Sequence, residues 1–337
     1  MENIHWDEVD QQLVHALTVA PRAPFKALAG AIGVSDQTVA RRYRKLTSAV
    51  GLRVLAVVNA QRAGWADWIV RLQVTPGSAD ALGDALARRP DTRWVRLLSG
   101  GTEIFCSLQA RTPQQRDDLL LRGLPGSRRV TAIAAHSVLH VYSPVEWTGM
   151  ASALTGDQLA SLRPFMPSAA PAVSCPDEIV QLRPDDDVLL AELARDARTS
   201  NSALAATLHW HESTVRRRIE ELTCSGLIYF DLDIDDAFVG VRVGAMLWLT
   251  VKPEHLDAAG RALASHPEVP FAAATTGPTN LAVSAVFRDT RHLYEYLTTE
   301  LPGVPGVQSM ETAPVIRTLK RTGQRELVAG EAGWAVR

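Results

Sequence analysis

The sequence predicts an α+β chain built twice, in the order three-helix unit, small sheet unit, three-helix unit, small sheet unit. Three observations predict it. First, LAGAIGVSDQTVARRYRKL from Leu28 returns as LAATLHWHESTVRRRIEEL from Leu204, an offset of 176. Thr38, Val39, Arg41, Arg42 and Leu46 thereby match Thr214, Val215, Arg217, Arg218 and Leu222. Second, a later block returns at an offset of 177, with no gap from Pro76 to Gly126. Pro76, Gly83, Pro90 and Gly100 match Pro253, Gly260, Pro267 and Gly277, and Leu124-Pro125-Gly126 matches Leu301-Pro302-Gly303. Third, the apolar spacing in each copy passes from the rhythm of helices to the short apolar runs of strands.

The totals agree with such a chain. Its 337 residues exceed one ordinary core, and 46% hydrophobic with 21% charged residues is a globular balance. No apolar run approaches the roughly 18 residues of a membrane span. The opening MENIHWDEVD is acidic and polar, so no secretory leader is expected and the location reads as cytoplasmic. Cys106, Cys175 and Cys224 stand in no metal spacing and read as free thiols. A net charge of −2 does not exclude a nucleic-acid partner, because cations cluster at Arg41, Arg42, Arg44 and Lys45 and again at Arg216, Arg217 and Arg218.

In the first unit, Asp7 is placed to cap a helix that carries Val9, Leu13 and Leu17 on one side. Pro24 opens a second helix in its first turn, which buries Phe25, Leu28 and Ile32. Gly33-Val34-Ser35 then makes a tight turn, glycine taking the left-handed backbone and Ser35 capping the third helix. That helix sends Val39, Tyr43 and Leu46 inward and leaves Asp36, Gln37, Thr38, Arg41, Arg42 and Lys45 outward. Two apolar helices, a short turn and a basic outer face make a winged-helix-like helix-turn-helix, whose third helix enters a major groove of double-stranded DNA. The expected DNA contacts are Ser35, Asp36, Gln37, Thr38, Arg41, Arg42 and Lys45, with Ser213, Thr214, Arg216, Arg217 and Arg218 in the second copy. The second copy is weaker, with His209 at the glycine position of the turn and His211 at the cap.

Strands follow at Leu52–Val58 and Trp68–Val74, then a helix from Ser78, strands Arg93–Leu98 and Glu103–Ala110, a helix from Thr112-Pro113, and a strand Val130–Val141. From Trp68 the order is βαββαβ, ferredoxin-like, and it recurs from Ala245 to about Leu319. The boundaries read as 5–52 and 53–143 for the first pair, 144–180 for a Pro/Ala/Ser-rich linker, 181–228 and 229–322 for the second pair, and 323–337 for a tail. Within the linker, LTGDQLASL suits a short helix capped by Thr155. The informative piece of each sheet unit is its hairpin tip. Ser99, Gly100, Gly101, Thr102 and Glu103 match Thr276, Gly277, Pro278, Thr279 and Asn280. Amides and hydroxyls at such a tip suit the charged ends of a small ligand, although the same residues also make a plain β-turn.

The helix-turn-helix segment, with PEVPFAAATTGPTNLAVSAVFRDTRHLYEYL and LPGVPGVQSMETAPVIRTLK, resembles the Lrp/AsnC family of prokaryotic regulators over about 7–142 and 185–322. The resemblance implies an AsnC-type sheet domain that binds an amino acid or related metabolite and pairs with another copy. A tandem chain then looks like a fused dimer, itself assembling as a homo-oligomer. Carried over by position, it supports effector contacts at Gly100, Thr102, Glu103, Gly277, Thr279 and Asn280, with Asn280 departing from the acidic residue common there, and the tips themselves add Ser99, Gly101 and Thr276 to the expected set. Siroheme decarboxylases look similar and give the enzyme alternative, with His136, His140 and Arg242 as the candidate side chains. Against it, His136 and His140 match Ala313 and Arg317, and a decarboxylase does not require arginine-rich third helices. His136 and His140 lie in a strand-like run unsuited to a metal, and His209-Trp210-His211 falls in a turn. With no GxGxxG, phosphate loop or CxxC, no cofactor, metal or catalytic residue is expected.

Overall fold

The computed structural model describes residues 7–142, 153–167, 179–236, 238–322 and 324–325. Helices α1 (Glu8–Val19), α2 (Phe25–Ile32) and α3 (Asp36–Val50) form the first unit. Asp7 caps α1 by accepting the Asp10 N–H. Pro24 stands at the cap of α2 rather than in its first turn. Gly33 closes α2 at φ 82°, and Ser35 Oγ accepts the Thr38 N–H at 3.1 Å to start α3.

The chain continues through β1 (Arg53–Val58), β2 (Ala66–Val74), α4 (Ala79–Ala87), β3 (Thr92–Leu98), β4 (Glu103–Ala110), α5 (Pro113–Asp117) and β5 (Val130–Val141). In the expected linker, α6 (Gly156–Leu162) carries a capping box between Thr155 and Gln158. Leu162 is fully buried, and His15 Nδ1 accepts the N–H groups of Ala153 and Leu154, both at 3.0 Å, so this piece belongs to the first helical unit. Cys175, most of the linker and most of the tail lie outside the described residues.

The second half repeats the order. It runs α7 (Asp186–Arg195), α8 (Asn201–Leu208), α9 (Glu212–Cys224), β6 (Ile228–Asp233), β7 (Val243–Val251), α10 (Leu256–Ala264), β8 (Phe271–Thr275), β9 (Leu281–Phe287), α11 (Thr290–Glu295), β10 (Val307–Arg321) and β11 (Gln324–Arg325). As the sequence suggests, His209 takes the left-handed turn position, at φ 56°, and His211 gives α9 no side-chain cap.

The two helical units share one core. Leu13, Leu28, Leu46, Leu189, Leu204 and Leu222 pack in one cluster with Val54, Ile228 and Phe230. No wing hairpin follows α3 or α9 among the described residues: β1 pairs antiparallel with β6, Val54 opposite Leu232 and Val58 opposite Ile228. The domain borders expected at 53 and 229 therefore cut through the helical layer, because these strands bury their apolar sides against it. Two arginines, 176 apart, clasp the units reciprocally. Arg22 donates to the carbonyls of Ala197 and Thr199, and Arg198 to those of Pro21 and Ala23 while lying 4.8 Å over the Phe25 ring.

The remaining strands close into an eight-stranded antiparallel barrel in the order β10, β3, β4, β2, β5, β8, β9, β7 and back to β10, with β11 beside β10. Each half contributes four strands in the order last, first, third, second, and the halves join at β3–β10 and β5–β8. The joints share one register under the offset of 177: Leu98 faces Val315, and Thr275 faces Val138. They also explain a repeated glycine. A Cβ on Gly83 would stand 2.5 Å from Leu319, and one on Gly260 2.3 Å from Tyr142, so each α4 or α10 glycine admits a residue from the other half.

Candidate nucleic-acid interface and effector site

On α3, Gln37, Arg41, Arg44 and Ser48 are exposed and fall at helical spacing along one face. Arg41 makes no ion pair among the described residues, and Arg44 donates to the Ala40 carbonyl at 3.3 Å. Asp36 is exposed at the start of the helix. Ser35 and Thr38 are engaged in the cap, their hydroxyls 2.9 Å apart. Arg44 was not among the expected contacts, yet it lies seven residues, two turns, after Gln37 on the same face.

Two expected contacts point the other way. Arg42 pairs with Asp7 at 2.7 Å and with fully buried Asp10 at 3.1 Å. Its counterpart Arg218 is itself buried, grips Asp186 through two bonds of 2.8 and 2.5 Å, and reaches Glu221 at 2.9 Å. Both arginines tie the third helix of a unit to its first, because an acid fully buried on the first helix requires a partner. Lys45 also leans inward, its Nζ 3.9 Å from Asp10. Burial pushes the Asp10 carboxyl above its usual range, and its Oδ1 has no hydrogen-bond partner among the described residues. Asp186 is also desolvated, but the Arg218 fork and the Arg183 N–H hold it below the usual range.

The outer face of α9 differs. Ser213, Arg216, Arg217 and Glu220 are exposed and, with Thr214, line a surface hollow of about 350 Å³. Arg217 reaches Glu221 at 3.5 Å. Glu220 and Glu221 stand where α3 has Arg44 and Lys45, so the basic character of this face is largely cancelled.

At the first hairpin tip, Ser99, Gly100 and Gly101 are all left-handed, with φ of 51°, 71° and 83°. Thr102 Oγ1 donates to the Ser99 carbonyl at 2.8 Å. Glu103 does not reach this tip. It is buried in the barrel and accepts from Arg71 at 2.6 Å. Arg71 in turn binds Glu311 and lies 4.3 Å over the Trp248 ring. At the second tip, Asn280 is likewise consumed: its amide accepts the Val251 N–H at 2.8 Å and donates to the Val251 carbonyl at 2.9 Å. Thr279 offers its carbonyl to Thr275 Oγ1 at 3.1 Å, while Thr276 and Gly277 remain exposed. Neither position expected to meet the effector's charge is available for it, because each side chain completes the hairpin or the barrel.

A family model of the AsnC-type helix-turn-helix domain matches residues 7–47 and 186–223. A model described as the Lrp/AsnC ligand binding domain matches residues 244–325. The chain carries AsnC-type helix-turn-helix domains and an Lrp/AsnC ligand-binding domain. An uncharacterised HTH-type transcriptional regulator of Pyrococcus abyssi is 28% identical over 145 residues, 43% of this chain and 91% of that protein. The HTH-type transcriptional regulator Ptr1 of Methanocaldococcus jannaschii is 29% identical over 133 residues, 39% of this chain and 90% of that protein. Among solved structures, the siroheme decarboxylase NirDL shares the fold with a TM-score of 0.61 at 12% identity, covering 95% of this chain and 94% of that one. The AsnC-type units here do not gather the decarboxylase candidates. His136 and His140 lie on β5 and Arg242 is exposed before β7, and β8 and β9 stand between those strands. No group of three metal-ligating side chains occurs among the described residues, and no helix there is long and apolar enough to cross a membrane.

Proposed function

We propose that this chain is a cytoplasmic, sequence-specific transcriptional regulator that binds double-stranded DNA through its AsnC-type helices, with α3 as the principal reader. Its two halves form a dimer fused into one polypeptide, which associates further as a homo-oligomer, and a small amino-acid-like effector at the barrel biases its DNA binding. The observation that carries the reading is the exposed row Gln37, Arg41, Arg44 on a helix whose other arginine, Arg42, is anchored to α1. Anchoring fixes the helix, and the exposed guanidiniums of Arg41 and Arg44 suit guanine edges and phosphates. The shared core and the Arg22–Arg198 clasp support a fixed spacing of the two helices, which joint binding in successive major grooves requires at about 34 Å or a multiple. An effector shifts this arrangement only through unequal affinity for its alternatives.

Selection of genomic DNA fragments by the purified chain at stated salt, with and without single L-amino acids, tests the reading. Enrichment of a discrete site, altered by at least one amino acid, is expected. Turnover of siroheme together with failure to retain any DNA sinks it in favour of the enzyme.

A further inference from the structure

We propose that the two hairpin tips are unequal and that the chain takes one effector, at the tip between β3 and β4, because His136 fills the corresponding place beside the tip between β8 and β9. This deepens the effector reading above and rests on it. The joints β3–β10 and β5–β8 are equivalent in register, so the surroundings of the tips compare residue by residue. Beside the second tip, the His136 ring lies against Gly277: a Cβ there would stand 2.3 Å from Nδ1. Ser137 adds two bonds to Thr276, its N–H to the hydroxyl and its carbonyl from the N–H, each 3.0 Å. Thr250 Oγ1 holds the Pro278 carbonyl at 3.1 Å, and Asn280 is bound to Val251. That tip is stitched on both sides.

The first tip lacks these side-chain stitches and keeps on that side one main-chain bond, from the Val74 N–H to the Thr102 carbonyl at 3.0 Å. The counterpart of His136 is Ala313, a methyl group, and the counterpart of Ser137 is Pro314, which has no N–H to give. Nothing stands within 4 Å of where a Cβ on Gly100 would point. A Cβ on Gly101 would stand 3.9 Å from Ala79 at the start of α4, and the next residue, Asp80, pairs with Arg317 from β10. This pair links α4 to β10 and is exposed, and its two charges match the carboxylate and ammonium of an α-amino acid. At the second tip the counterpart of Asp80, Asp257, is held by Arg261 at 2.9 Å, and that of Arg317 is His140, set edge-on against Tyr142.

Titration calorimetry of the full chain against each of the twenty proteinogenic L-amino acids reads the stoichiometry. One site per chain is expected for whichever binds, weakened tenfold or more by Arg317→Ala. His136→Ala, or the milder His136→Asn, is expected to add a second, weaker site. Two equal sites in the unaltered chain overturn the proposal. If none of the twenty binds, the effector reading falls, and amide hydrogen exchange still decides the inequality. Slow exchange over 276–279, fast exchange over 99–102, and a gap that His136→Ala narrows uphold it. Equal exchange at both tips overturns it.

Discussion

Arg42 and Arg218 sit at equivalent positions, yet their acids differ in sign of perturbation. Arg218 commits two bonds to Asp186, whereas Arg42 divides itself between Asp7 and Asp10. Removing one partner of a buried, well-bonded pair costs about 3–5 kcal/mol. Asp186→Asn is therefore expected to lower the urea midpoint strongly, and Asp10→Asn to lower it less. Asp186, held below its unfolded value, adds stability above the ordinary carboxylate pKa that is lost as pH falls through its folded value. Asp10, pushed up, acts in the opposite sense and favours the fold at low pH. The sequence showed these arginines as members of two basic clusters and did not show that they turn inward. The signal was present: Asp10 and Asp186 also stand 176 apart, so acid and arginine repeat together.

For single elements, the sequence was most readable where local chemistry decides. Val130–Val141 is a strand to the residue, the Thr155 cap is present, and the turn at Gly33 and His209 is left-handed in both copies. What lay beyond reading was which partner each strand takes. β1 looked like the start of a sheet unit because its apolar run carries no label for β6, 175 residues away. Charge decides between α3 and α9. Arg41→Ala and Arg44→Ala are each expected to weaken binding to a selected site and to reduce the slope of log affinity against log salt by about 1 where a phosphate contact is lost. Arg217→Ala is expected to change both less, since Glu220 and Glu221 already offset that face. His211→Ser supplies the cap that α9 lacks and is expected to raise stability by about 1 kcal/mol in urea melts.

At the scale of the molecule, positions related by the offset of 177 differ inside one barrel. Arg71 stacks on Trp248, its own counterpart at an offset of 177, a contact that two identical halves cannot make. Glu103 and Glu311 complete the group, while their counterparts are Asn280 and Ala134. The halves are thus fitted to each other rather than to themselves. Where the barrel meets the helical layer, burial pushes Asp67 up to about 7 against the pull of Arg93 and Gln109, and Asp233 up to about 6 beside Arg321. Both carboxyls bind protons more tightly folded than unfolded, so they favour the fold at low pH and their contribution is lost as pH rises through those values. The slope reaches about 1.4 kcal/mol per pH unit for each proton. Asp67→Asn is expected to gain stability relative to the parent at pH 8 and to lose that advantage near pH 4, as denaturant melts at the two values will show.

On the proposed reading, the exposed face of α3 meets DNA. The most direct measurement is the affinity of the full chain for a selected fragment across a salt series, beside the Arg41→Ala/Arg44→Ala variant. Tight, salt-dependent binding that the paired substitution weakens at least tenfold, with the melt unchanged, is expected. Unaltered affinity and an unaltered salt slope in that variant contradict it.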